Sequence, residues 1–117
     1  MADERRHQVF VYGTLKRGQR NAYFLDQAEF LGDHITSEEY WMYEFDDYPA
    51  VCTAGRHAIH GEIYRIDDTQ FASLDELEWY PRFYQRIVIA TDFGEAWMYI
   101  VKPELCLGKR RLNGRWR

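Results

Sequence analysis

Two stretches of this chain hold groups whose type and spacing suit them to chemistry. The first ends in Glu78. Phe71, Leu74 and Leu77 recur at the spacing of one apolar helix face. At roughly 100° per residue, Glu78 falls on that same face, about 40° from its centre. Asp75 and Glu76 fall off it and are expected in water. A carboxylate turned toward a core near a helix C-terminus gains nothing from the helix dipole, which favours cations there. Its burial is costly unless it is paired. Desolvation then lifts its pKa toward neutrality, the condition for a general acid/base near pH 7. Two other readings stay open: an ion pair with Arg82 or Arg86, or a last helical turn that simply faces water.

The second stretch is Val9-Phe10-Val11-Tyr12-Gly13-Thr14-Leu15-Lys16-Arg17-Gly18. Four apolar or aromatic residues in a row read as a central strand with both faces covered. Gly13 is expected to let the backbone turn without the steric cost of a Cβ. A strand that ends this way presents successive free N–H groups, a concavity that suits an anion or a developing oxyanion. A plain strand with a glycine turn is the other reading.

Other catalytic sets are not indicated. His7, His34, His57 and His60 lack metal-ligand spacing, and no Ser/His/Asp set is evident. His57 and His60 are three apart on an expected strand, so they point to opposite faces. Cys52 has His57 nearby in sequence, a weak signal for a nucleophile. Cys52 and Cys106 are expected as free thiols. Gly13 and Gly18 make no phosphate loop, because no Gly-Lys-Ser/Thr follows at the required spacing. No metal or cofactor is expected.

The elements that must position these groups can be read in outline. A short helical piece is expected at residues 21–26. Strand character appears at 28–36, broken by Gly32, and at 39–45. Residues 46–50 are expected as a loop, since Pro49 has no ladder donor and restricts Tyr48. Residues 57–66 alternate as a strand. Asp67-Asp68-Thr69 caps a helix that is expected to run to about Trp79, with Pro81 ending it. Residues 84–91 and 95–101 form a hairpin around Asp92-Phe93-Gly94. Five to seven strands and one main helix make an α+β domain, with a small mixed sheet that is barrel-like and flanked by short helices.

The 117 residues predict a single domain over 1–117. Hydrophobic residues make up 46% and charged residues 29%, which argues against disorder. No apolar run is long enough to span a bilayer, so no membrane role is expected. The charged segment at residues 1–7 has no signal-peptide character, which predicts a cytoplasmic protein. Residues 102–117 form a basic C-terminal tail with six bases against one acid, while residues 1–101 hold 18 acids and nine bases. Such a tail either lies back on the acidic body or serves as a nucleic-acid arm. The acidic body would repel phosphate backbones, so no nucleic-acid partner is expected. The oligomeric state is not legible.

Taken together, the motifs resemble the γ-glutamylcyclotransferase-like family. Tyr12-Gly13-Thr14-Leu15-Lys16-Arg17-Gly18 resembles the segment that opens that family. Leu74-Asp75-Glu76-Leu77-Glu78-Trp79-Tyr80-Pro81, followed by Tyr84-Gln85-Arg86, resembles its catalytic helix and the strand after it. Tyr48-Pro49-Ala50-Val51 and His60-Gly61-Glu62-Ile63-Tyr64 also match, so the resemblance covers roughly residues 8–101. The pairing of Leu-Asp-x-x-Glu with Tyr-x-Arg is most similar to the γ-glutamylamine cyclotransferase branch.

The resemblance implies release of 5-oxoproline from a small-molecule γ-glutamyl substrate. It implies Glu78 as the catalytic acid/base, Tyr12, Gly13, Thr14 and Leu15 as the substrate-binding turn, and Tyr84 on the cavity wall. Trp79 and Tyr80 depart from the pattern, where small residues often follow the glutamate. The tail after Val101 lies outside the resemblance. A non-catalytic binding protein that keeps the cavity is the alternative. The acidic body further suggests a cationic leaving amine.

Overall fold

The computed structural model describes residues 5–117, so residues 1–4 of the charged N-terminal segment lie outside it. Its centre is strand β1 (His7–Val11), buried along its second half. Val9 and Val11 join one apolar cluster, and Phe10 joins another. The expected two-faced central strand is therefore present, because successive side chains leave a strand on opposite sides.

Around β1 lie β2 (Glu29–Ile35), β5 (His60–Ile66), β6 (Gln85–Thr91) and β7 (Gly94–Ile100), in the order β2-β5-β1-β7-β6. β1 runs antiparallel to β5 and parallel to β7. A second sheet is built from β3 (Tyr40–Phe45), β4 (Tyr48–Thr53) and β8 (Arg110–Leu112), in the order β4-β3-β8. The α+β class holds, but the sheet does not close into a barrel. β2 and β6 each have one neighbour and remain edges. Eight strands are present among the described residues, where five to seven were expected.

The two strands that the sequence reading lacked, at residues 48–53 and 110–112, arise from long-range pairing that no local pattern announces. Residues 48–53 are a strand, not a loop: Tyr48 to Thr53 pair with β3 residue by residue. Pro49 is tolerated because β4 is an edge strand, where a missing N–H leaves no ladder bond unmade. In the basic tail, β8 pairs with β3, Met42 lying opposite Leu112. Trp116 is only 2% exposed and belongs to the core cluster around Phe10. Lys16 Nζ donates to the Trp116 carbonyl at 2.5 Å. The tail lies back on the body, held by apolar burial as well as by charge.

Helix α1 (Asp68–Leu77) begins as expected. Asp67 accepts from the Gln70 N–H at 2.7 Å, and the Gln70 side chain accepts from the Asp67 N–H at 2.9 Å, a complete capping box. It ends two residues earlier than expected, and Pro81 is not what ends it. The Tyr80 N–H donates to the Asp75 carbonyl and the Trp79 N–H to the Glu76 carbonyl. Trp79 carries φ 55°, in the left-handed region. This is the Schellman closure, with a tryptophan where glycine is usual.

Candidate active site

A cavity of about 590 Å³ opens where the end of β1, the end of α1 and the start of β4 meet. Tyr12, Gly13, Thr14, Leu15, Glu78 and Tyr84 all line it. The six residues singled out in the sequence therefore line one cavity. Phe10, Val11, Tyr12, Leu15, Pro49, Tyr84 and Tyr99 are buried and form its floor, whereas Arg20 and Trp79 line it while exposed and so stand at its mouth.

Glu78 is the residue on which α1 closes. Among the described residues its carboxylate has no ion pair and no hydrogen bond. The expected alternative partner, Arg86, is taken: its Nε and an Nη each reach Asp75 at 3.0 Å. Asp75 is consequently not the solvated residue its helical angle suggested. It also accepts from the Tyr99 hydroxyl at 2.6 Å. The turn from α1 into β6, and the β6–β7 pairing of Arg86 with Tyr99, bring those groups onto Asp75. Burial pushes the Glu78 carboxyl up to about 7. No compensating cation pulls it down, so desolvation acts alone.

The turn after β1 is fixed from several sides. Asn21 donates its backbone N–H to the Thr14 carbonyl at 2.9 Å and its side-chain amide to Thr14 Oγ1 at 3.0 Å. The Lys16 N–H closes onto the Gly13 carbonyl. Among the described residues, the N–H groups of Gly13, Thr14 and Leu15 have no backbone or side-chain acceptor. Successive unspent donors beside a cavity are what an anion site requires.

Gly13 serves a different purpose from the one expected. Its φ is not in the left-handed region. A Cβ there would sit 2.7 Å from Pro49 Cγ, so glycine is needed for the approach of β4, not for the turn itself. The left-handed glycine of this segment is Gly18, further along, with φ 81°.

Of the four tyrosines that line the cavity, the two singled out in the sequence spend their hydroxyls on backbone. Tyr12 donates to the Tyr99 carbonyl and Tyr84 to the Pro49 carbonyl, each at 2.8 Å. Their rings shape the cavity, and burial holds both phenols well above their ordinary pKa. Neither is placed to exchange protons near neutral pH.

Glu62 entered the sequence reading only as part of the His60–Tyr64 match, with no role assigned. It is 7% exposed, in the middle of β5. It accepts from the Arg17 N–H at 3.0 Å, Arg17 Nε at 3.1 Å and the Tyr64 hydroxyl at 3.0 Å. This anchors the far end of the turn to the sheet. An acid flanked by Gly61 and Ile63 in a mostly apolar strand was the available signal.

The family described as "Gamma-glutamyl cyclotransferase, AIG2-like" matches residues 9–117. The match runs through the basic tail, beyond the reach of the sequence motifs. A Vibrio cholerae chain that carries a gamma-glutamylcyclotransferase name provisionally is 40% identical over 110 residues, covering 94% of this chain and 95% of that one. The Escherichia coli K12 protein named "Gamma-glutamylcyclotransferase family protein YtfP" is 39% identical over 109 residues, covering 93% and 95%. A solution structure of Escherichia coli YtfP superposes with a TM-score of 0.75, at 34% identity and covering 93% and 94%. A mouse AIG2-like protein superposes with a TM-score of 0.74, at 29% identity and covering 86% and 82%.

Proposed function

This chain belongs to the gamma-glutamyl cyclotransferase, AIG2-like family, and we propose from that premise that it releases 5-oxoproline and a free amine from a small γ-glutamyl compound. The observation that carries the reading is the Glu78 carboxyl. It is unpaired, lifted to about 7, and lines the same cavity as Gly13, Thr14 and Leu15 with their free N–H groups.

The reaction is intramolecular. The α-amine nitrogen of the glutamyl group attacks its own γ-carbonyl carbon. A C–N bond forms, the ring closes, and the carbonyl π electrons move onto oxygen. That oxygen is held by the turn N–H groups, which act where charge develops. The C–N bond to the outgoing amine then breaks as the carbonyl re-forms. An α-amine has a pKa of about 8 and starts protonated. Ionised Glu78 takes that proton and, in its acid form, delivers it to the outgoing nitrogen; the second proton, left on the ring nitrogen by the attack, returns to the re-ionised carboxylate and passes on to the released amine, so that a lactam N–H and an ammonium remain. One carboxylate whose pKa lies near the working pH serves both steps, typically worth ~10²–10⁴ in rate. The nucleophile is tethered, so the cavity has only to enforce the folded-back shape. Tyr12 and Tyr84, locked by their backbone bonds, supply that shape. No step calls on a cofactor. The Leu74-Asp75-x-x-Glu78 and Tyr84-x-Arg86 pairing supports the γ-glutamylamine branch.

The test is 5-oxoproline release from a panel of γ-glutamyl amines and γ-glutamyl amino acids by wild type and Glu78→Gln. Glutamine keeps the shape and removes the titrating proton. The expected result is turnover by wild type and a loss of about 10²–10⁴ in the folded variant. Tight binding of the panel with no turnover by wild type would overturn the reading in favour of a non-catalytic binding protein.

A further inference from the structure

Buried side chains line one part of the cavity and exposed ones another, at the mouth, and the cyclotransferase reading sets the folded-back glutamyl head against the former and the outgoing amine toward the latter. Two exposed side chains line that mouth, Arg20 and Trp79. Arg20 is the one cation among the described residues that line the cavity, and Glu78 the one acid.

Arg20 is weakly engaged within the protein. Its one ion pair among the described residues is a 3.9 Å contact with Asp47, whose side chain is 82% exposed. Such surface pairs are worth little and are readily exchanged for another anion. The backbone that carries Arg20 is nevertheless fixed. On one side Asn21 is doubly bonded to Thr14. On the other, the Gln19 side chain donates to the Arg117 carbonyl at 3.3 Å. A guanidinium on an anchored loop, at the mouth of a cavity and held by one weak partner, is suited to a substrate carboxylate.

We propose that Arg20 is a specificity residue for the outgoing group, pairing with a carboxylate carried on the leaving amine. This rests on the cyclotransferase reading. The substrates favoured are γ-glutamyl conjugates of amino acids, joined through either the α-amine or a side-chain amine, over conjugates of simple amines. The acidic body had suggested a cationic leaving amine. Charges spread over the surface are screened beyond about 8 Å in physiological salt, whereas Arg20 stands at the mouth itself. A leaving group that bears both an amine and a carboxylate satisfies the γ-glutamylamine motif and Arg20 together. Trp79, also at the mouth and 69% exposed, offers an apolar face beside it.

The experiment uses matched substrates that differ by one carboxylate: γ-glutamyl-alanine against γ-glutamyl-ethylamine, and ε-linked γ-glutamyl-lysine against γ-glutamyl-cadaverine. KM and kcat are measured for wild type, Arg20→Gln and Arg20→Lys, with a thermal melt to establish that each is folded. Wild type is expected to favour the carboxylate member of each pair. Arg20→Gln is expected to raise KM about tenfold for that member alone, with kcat little changed, and Arg20→Lys to recover part of the loss. Equal losses on both members of a pair would overturn the proposal, since Arg20 would then serve the shared glutamyl head. No change on either member, or a wild type that favours the decarboxylated partner, would overturn it as well. Failure of wild type to release 5-oxoproline from all four would bring down the cyclotransferase reading itself, and this proposal with it.

Discussion

Asp75 holds Arg86 in a two-point ion pair at 3.0 Å, and that pair leaves Glu78, three residues further along, without a cation. The two carboxylates leave the same helix end. One is satisfied by Arg86 and the Tyr99 hydroxyl, and the other faces the cavity alone. Arg86 is held in turn between the rings of Phe71, Tyr80 and Trp97, each 4.2–4.6 Å from its guanidinium carbon. The stacked, bidentate arrangement fixes which acid is structural and which is free to titrate.

The first consequence is a pH dependence of stability. The Glu78 pKa is raised in the folded state, to about 7, from an unfolded value near 4.3. Stability is therefore full below the unfolded value and is lost as pH rises through the folded one. Glu78→Gln removes that loss. The variant should be more stable than wild type at pH 8, by up to about 3 kcal/mol, with the difference closing toward pH 4. Urea unfolding at the two pH values measures it.

A second consequence concerns rate. If ionised Glu78 takes the α-ammonium proton, kcat/KM should fall tenfold per pH unit below about 7. Asp75→Asn frees Arg86 to approach Glu78 and should move this limb to lower pH. A pH–rate profile of the variant that keeps the wild-type limb would dissociate the two acids.

Glu62 supports the substrate turn from beneath. Glu62→Ala removes three acceptor contacts and leaves the Arg17 N–H and the Tyr64 hydroxyl unpaired. A loss of about 1–3 kcal/mol is expected from the buried Tyr64 hydroxyl left without its acceptor, together with a higher KM, because the far end of the turn is no longer tied to β5. Denaturant unfolding and steady-state kinetics read the two effects.

Trp79, the residue after the Glu78 cap of α1, sits at φ 55°. Trp79→Gly should relieve roughly 1 kcal/mol of backbone strain, offset only slightly by lost contacts, since the indole is largely exposed. A raised Tm is the expected outcome. A lowered one would show that the indole holds the cavity mouth together.

Trp116 distinguishes a structural tail from an accessory one. Truncating a fully buried tryptophan to alanine should cost about 3–5 kcal/mol. A surface arm would lose nothing. The thermal melt of Trp116→Ala decides between them.

The sequence alone determined the local facts. The unbroken apolar run Val9-Phe10-Val11-Tyr12 placed a buried strand, because two apolar faces need covering on both sides. Asp67 and Gln70 placed the helix start, because a cap is a matter of three residues. Helical spacing turned Glu78 toward the interior, and the motif pair pointed to the family. Tertiary structure alone decided which partners each group received. It gave Arg86 to Asp75, and with it the isolation of Glu78. It made Pro49 a strand residue and Gly13 the point of its closest approach. It put Glu62 under the turn and drew Trp116 into the core. Each of these joins residues far apart in the chain, so no periodicity or propensity records it. Pairing, close approach and desolvation arise only when the sheets and the helix are assembled.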